Sequence, residues 1–189
     1  MFKLDVLNGF VAFAIGIFFI LTVSYSLKFM KGRRGIALYY IYLILTALSS
    51  LGAVLANNLI LLLVCWGFLG LLLYLLIGMG DSDAPKVAKK TLIIVGGTDA
   101  LMILGIGIIY YFTQSLQMDK IRLELNQGTL IFAYLCIASA CFAKAGAMPF
   151  HSWIPDCAKS APLPVTAYLP ASLDKLLGIY LLSRLSLNL

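Results

Sequence analysis

Most of the residues able to carry a proton through an apolar environment lie in one stretch, residues 143–184, AKAGAMPFHSWIPDCAKSAPLPVTAYLPASLDKLLGIYLLSR. It holds Lys144, the chain's only histidine His151, the adjacent pair Asp174 and Lys175, and five of the six prolines. A lysine in an apolar segment loses hydration that hydrocarbon cannot replace, at a cost of about 3 kcal/mol, so such a residue is functional by default. Desolvation disfavours the ammonium and a neighbouring carboxylate favours it; moving the carboxylate therefore loads or unloads a proton. Proline lacks a donor and displaces the carbonyl four residues earlier. Pro149 would thus free the carbonyl of Ala145, beside Lys144, and Pro170 that of Thr166. Backbone groups released within a bilayer are tolerated only where protein or a water-filled cavity receives them. The stretch reads as two broken membrane helices, at Pro149 and Pro170, bracketing a hydrated spot.

Each of these residues also has a plainer reading. Lys144 near a helix end could snorkel to the headgroups. His151 suits a proton relay, imidazole being the side chain used for proton shuttling at physiological pH, and suits a structural hydrogen bond equally well; standing alone, it makes no metal site. Asp174 and Lys175 point about 100° apart on a helix, so they do not face a single partner. They are expected to line a polar interior rather than only to pack. A third acid, Asp99 in GGTDALMILG, is expected about a turn and a half from a helix end, within reach of the interior.

The elements that must position these groups are membrane spans. With 62% hydrophobic and 12% charged residues, against about one-quarter charged in soluble domains, the chain is an all-α integral membrane protein. Runs of about 20 apolar residues predict six helices. They cover about 6–29, 36–56, 59–79, 91–112, 128–147 and 163–187, in a single membrane domain over 1–189 with no soluble part. The first lacks a cleavage signature and is kept as a span. The loop TQSLQMDKIRLELNQ is long enough for a short surface helix. Basic residues flank the spans and set orientation instead of forming a nucleic-acid patch. The loops after spans one, three and five hold Lys28, Lys31, Arg33, Arg34, Lys86, Lys89, Lys90 and Lys159, against Lys3, Lys120, Arg122 and Arg184 on the other face. That bias places the N-terminus outside. Cys65, Cys136, Cys141 and Cys157 have no C-x-x-C pair and fit neither zinc nor an iron–sulfur cluster.

Residues KAGAMPFHSWIPDCAKSAPLPVTA resemble a signature of the antiporter-like membrane subunits of complex I, membrane-bound hydrogenases and multisubunit Na+/H+ antiporters. That signature is a lysine, then P-x-H-x-W-L-P-D-A, then A-P-x-P-V-S-A. Lys144, Pro149, His151, Trp153, Pro155, Asp156, Ala161, Pro162, Pro164, Val165 and Ala167 match it. Upstream, RRGIALYYIYLILTALSSLGAVLANNLILLLVCWGFLGLLLYLLIG is similar to the family's fourth and fifth helices, and AKKTLIIVGGTDALMILGIG to the start of its sixth.

The resemblance implies that the spans correspond to family helices three to eight, one five-helix repeat with a preceding helix, or half of an antiporter module. It implies that Lys144 is the buried proton-relay lysine. One departure matters: the family follows the fifth-helix tryptophan with a glutamate that pairs with this lysine, whereas here Trp66 is followed by Gly67. Asp99 and Asp174 are the candidates to replace it. Lys175 matches the family's eighth-helix lysine only loosely, which falls on Leu176, and a histidine common there falls on Pro170.

The chain is therefore expected to be a membrane subunit of a respiratory or hydrogenase-type oxidoreductase complex, not an enzyme by itself. Its own cofactors are none, with iron–sulfur clusters in partner subunits. The resemblance implies other membrane subunits, among which a chain with the second repeat would have its place, and hydrophilic redox subunits as partners, in lipid and without nucleic acid. The setting is a prokaryotic plasma membrane. LPASLDKLLGIYLL without the glutamate looks closer to archaeal or anaerobic hydrogenase-like assemblies than to mitochondrial complex I. Two alternatives stand beside ion translocation: a structural or docking subunit whose own path is lost, and an unrelated small transporter acting alone.

Overall fold

A computed structural model describes residues 2–33, 35–122 and 127–187. Arg34 of the basic cluster and Glu124 lie outside them. The helices are α1 (Val6–Phe29), α2 (Ile36–Leu55), α3 (Leu59–Ile77), α4 (Ala84–Thr113), α5 (Gly128–Ala145), α6 (Trp153–Ser160), α7 (Leu163–Tyr168) and α8 (Asp174–Ser186), with a π turn at Leu169–Leu173 joining the last two. Among the described residues six apolar helices are long enough to cross a membrane: α1 to α5, and the composite Leu163–Ser186. Helices satisfy their own backbone groups, as hydrocarbon requires. The fold is an all-α membrane bundle.

The termini follow local chemistry. Asp5 caps α1 reciprocally with Asn8: its carboxylate accepts from the Asn8 amide at 3.0 Å, and the Asn8 side chain accepts from the Asp5 amide at 2.7 Å. The Asn58 side chain caps α3 by accepting from Ile60 and Leu61. At the start of α4 the Asp81 carboxylate accepts from the amides of Asp83 and Ala84, and Pro85 occupies the first turn, where its missing donor costs nothing. This is why α4 begins at Ala84 and not at Thr91 as expected: the polar GDSDAPKVAKK segment is mostly helix.

Helices α4 and α5, α2 and α3, α5 and α8, and α3 and α4 form the closest pairs, while α1 leans on α2 and α7. A Cβ on Gly178 would come within 2.5 Å of the Cys141 carbonyl and 3.0 Å of the Ala145 amide, so α8 touches the backbone of α5 there. Small residues at such crossings let membrane helices pack without a hydrophobic driving force.

The loops gather at two ends. At one, Asp81 donates its amide to the Ser160 carbonyl at 3.1 Å, and Arg33, Gly80 and Lys159 border one groove. At the other, the Lys3 amide donates to Leu55, Met118 to Asn57, and Arg184 pairs with Asp5. The first is the basic end, carrying Lys28, Lys31, Arg33, Lys86, Lys89 and Lys90. Burial pushes the Asp5 carboxyl up, but hydrogen bonds from Arg184 and from the Asn8 and Leu7 amides, with the Arg184 charge, outweigh it and hold it below its ordinary value. Residues 114–122, where a surface helix is expected, form turns and a bridge from Gln117 to Asn58. Residues 123–126 of that loop lie outside the described residues.

Candidate functional site

Helix α5 ends because Gly146 adopts the left-handed conformation, φ +69°, and its amide folds back to the carbonyls of Phe142 and Ala143. The break near Pro149 is therefore made three residues earlier than the proline, which lies in the following turn. Gly146 is required twice over, since a Cβ there would overlap the Ile154 side chain. The chain then turns back through α6, whose Trp153 and Cys157, one turn apart, face inward and are fully buried. The Trp153 indole donates to the Ala143 carbonyl at 3.1 Å, a second donor on an acceptor at the end of α5 that also receives the Gly146 amide.

Lys144 sits beneath this cover with no exposed surface. Its ammonium donates to the Trp66 carbonyl at 3.2 Å and lies 4.7 Å from the centre of the Trp66 ring. Such a cation over an aromatic face is worth up to about 2 kcal/mol when desolvated. On the ring's far edge, the Trp66 indole donates to Asp99 Oδ1 at 2.9 Å. Trp66 thus joins lysine and acid. The other Asp99 oxygen lies over Gly70, 3.6 Å from where a Cβ would be.

Asp99 is not near a helix end. Since α4 starts at Ala84, Asp99 lies 15 residues in, about 22 Å along the axis. The early start corrects the expected turn and a half.

Asp174 is 1% exposed, and neither carboxylate oxygen has a hydrogen-bond partner. It follows the π turn that accommodates Pro170. In the wider turn the Asp174 amide bonds the Leu169 carbonyl five residues back, and Ser172 Oγ donates to the Ala167 carbonyl at 2.8 Å. The turn leaves Asp174 facing inward and Lys175 outward. Lys175 is exposed, in a groove with Cys141, Ala145, Gly146 and Gly178, so the pair does not share an interior. His151 is likewise exposed, in the turn before α6.

The structure brings Lys144, Asp99 and Asp174 together and leaves Lys175 and His151 outside. The Lys144 charge acts on both acids, and they act on each other, yet among the described residues no carboxylate is within ion-pair distance of the ammonium. One ammonium among two carboxyls is neutral only when one carboxyl carries a proton. Buried charge that is not neutralised is costly. The arrangement can hold and exchange a proton.

Residues 56–189 match the family model described as NADH:quinone oxidoreductase/Mrp antiporter, TM. The chain belongs to this antiporter family. It is 30% identical over 195 residues to "NAD(P)H-quinone oxidoreductase subunit 5, chloroplastic" of Chara vulgaris, covering 97% of this chain and 29% of the relative. The protein of the same description from Pelargonium hortorum is 30% identical over 192 residues, covering 96% and 26%. A solved structure of the Mrp complex from Dietzia sp. DQ12-45-1b contains a chain that superposes with a TM-score of 0.92 at 27% identity, covering 99% of this chain and 21% of that one. The chain spans roughly a quarter of the length of these relatives.

Within this antiporter-family chain, Gly67 faces outward, and a Cβ there would meet no atom within 4 Å. The contacts of Lys144 are instead made by the preceding residue. Trp66 escaped the sequence reading because an apolar span hides an aromatic; its signal was a place beside the missing glutamate. The Lys90 ammonium binds the Asp156 carboxylate at 2.7 Å and the Ser152 carbonyl at 3.1 Å, tying α4 to α6 outside the membrane. The hydrogen bond and charge of Lys90 hold the Asp156 carboxyl below its ordinary value of 3.8, so the contact is intact at neutral pH and is lost only as pH falls through the depressed value. Cys157 is buried beneath that tie. Replacing Asp156 with asparagine is expected to speed labelling of Cys157 by a water-soluble maleimide roughly two- to fivefold, as befits an exposed pair. An unchanged rate would show that α6 stays shut without it.

Proposed function

We propose that this chain forms part of the ion-translocating membrane module of a respiratory or hydrogenase-type oxidoreductase complex, with Lys144, Asp99 and Asp174 as the proton-exchanging groups. The observation that carries this reading is a fully buried lysine, held by Trp66, with the buried Asp174 and the half-buried Asp99 in electrostatic reach and no fixed ion pair among the described residues. Such an intramembrane group costs free energy that packing alone does not require. The names of the relatives support an oxidoreductase or Mrp-type assembly, with redox energy or an ion gradient driving the movement. Iron–sulfur clusters belong to hydrophilic partner subunits in this reading.

The outward groove at Lys175 fits a partner membrane segment that presents a carboxylate, since a lone ammonium midway along a span gains most from an opposite charge. A chain or region carrying a second antiporter-type repeat meets that description. The basic end lies in the cytoplasm of a prokaryote by the excess of lysine and arginine there, which puts the N-terminus outside.

The test is Asp174→Asn in the assembled complex, with ion uptake by inverted membrane vesicles measured alongside donor oxidation. Uptake is expected to fall at least about tenfold while uncoupled oxidation continues, the loss of a proton-transferring group costing on the order of 10² or more in enzymes. Unchanged uptake would favour the structural reading, for which the outward-facing Gly67 is the supporting observation. Mass spectrometry of what copurifies with the tagged chain names the donor and acceptor through the partners.

A further inference from the structure

Three hollows on the outer face of the bundle line up along α1. The first, of about 280 Å³, has Phe18, Leu21 and Tyr25 of α1 on one wall and Pro164 and Ala167 of α7 on the other. The second, of about 490 Å³, runs on from Tyr25 to Lys28 and Phe29. The third, of about 360 Å³, lies at the basic end, bordered by Phe29, Arg33, Asp81 and Lys159. Tyr25 belongs to the first two and Phe29 to the last two, so the three make one groove, and these two rings stack with centres 5.8 Å apart.

The groove changes character along its length. From Phe18 to Phe29 it follows α1 for about 16 Å, the depth of one leaflet of a hydrocarbon core about 30 Å thick, and its walls there are mostly apolar. Its mouth carries three cations, Lys28, Arg33 and Lys159. None of them is within ion-pair distance of a carboxylate among the described residues, whereas Lys3, Lys86, Lys90 and Arg184 are so paired. The nearby acids are occupied: the Asp81 carboxylate accepts from the amides of Asp83 and Ala84, and Asp156 binds Lys90. The Arg33 guanidinium lies over the Phe29 ring, 4.3 Å from its centre. Stacking holds the plane of the fork and leaves its in-plane donors for a ligand.

We propose that this groove binds an anionic phospholipid of the leaflet at the basic end, with the phosphate held by Lys28, Arg33 and Lys159 and one acyl chain laid between α1 and α7. An apolar channel one leaflet deep that opens on cations matches both parts of such a molecule. A guanidinium fork suits phosphate geometry, and basic pockets between spans take anionic headgroups. Each cation near the surface raises affinity for anionic lipid roughly fivefold. Arg33 follows α1 and Lys159 lies on α6, so the headgroup bridges two segments that would otherwise meet only through α1 and α7. The groove shares no lining residue with Lys144, Asp99 or Asp174 and stands or falls apart from them.

The test places the assembled complex in vesicles of equimolar phosphatidylglycerol and phosphatidylcholine, with a benzophenone amino acid in place of the exposed Leu21. Irradiation links the probe to whatever lies in the groove, and mass spectrometry of this chain weighs the adduct. Phosphatidylglycerol adducts are expected to exceed phosphatidylcholine adducts at least about tenfold, and Arg33→Gln or Lys159→Gln to lower that ratio roughly fivefold each. Lys31→Gln, which removes an exposed cation that does not border the groove, is expected to leave the ratio unchanged. Equal amounts of the two adducts would reveal an unselective lipid contact, and an adduct to another protein chain would show that a subunit fills the groove. A ratio indifferent to Arg33 and Lys159 would place the selectivity elsewhere. Each of these results overturns the site, as does the lack of any lipid adduct when the same probe at Ile93, exposed on α4, gives one.

Discussion

Lys144→Ala is expected to abolish ion uptake by the assembled complex while donor oxidation continues in the presence of uncoupler. The variant deletes the only cation acting on Asp99 and Asp174 among the described residues, so neither acid retains a described group whose approach can expel its proton. Removing one partner of a buried charged set also destabilises, by about 3–5 kcal/mol where the remaining charge cannot be neutralised. Here the acids can take up protons and limit that cost. Complex content measured by native gel is therefore the necessary companion reading. Lys144→Arg keeps the charge but not the ability to release it, because guanidinium is never deprotonated in proteins. It is expected to assemble like the wild type and to transport as poorly as alanine. Full transport in the arginine variant would mean that Lys144 serves only as a fixed charge.

A second large effect is expected at Gly178. Even a Cβ there would press on the Cys141 carbonyl and the Ala145 amide, and backbone cannot turn aside as a side chain can. Gly178→Leu must push α8 away from α5, and with it Asp174 from Lys144. Overpacking of this kind costs about 1–3 kcal/mol or more. The same shift pulls on Tyr180, whose hydroxyl donates to the Val54 carbonyl of α2 at 2.6 Å. The chain is expected to be lost from the complex or to melt well below the wild type in detergent. Normal assembly would show that the α5–α8 crossing has slack that the present packing does not reveal.

The spans were legible because hydrocarbon imposes a length and a composition, and α1, α2, α3 and α5 begin where apolar runs begin. Surface helix escapes that rule. The first turns of α4 and all of α6 are polar enough to read as loop, although Asp81 and Pro85 supplied a start signal for one of them. Lys144 was legible as an expensive residue, and the sequence also offered Asp99 and Asp174 as its partners. Which of two neighbours faces inward was not, since Asp174 and Lys175 exchange places with any change of helical phase. The π turn at Pro170 sets that phase. Trp66 could not be told from a packing aromatic, because only the third dimension places an indole beside a carboxylate.

Helix α4, 30 residues long, measures about 45 Å against a hydrocarbon core of about 30 Å. It carries Lys90, which grips α6 at the surface, and Asp99 about 13 Å further along the same unbroken rod. The helix is continuous between the two points, through Gly96 and Gly97. A force that tilts α6 from outside is therefore carried along α4 as along a lever whose inner arm ends at the acid facing Trp66.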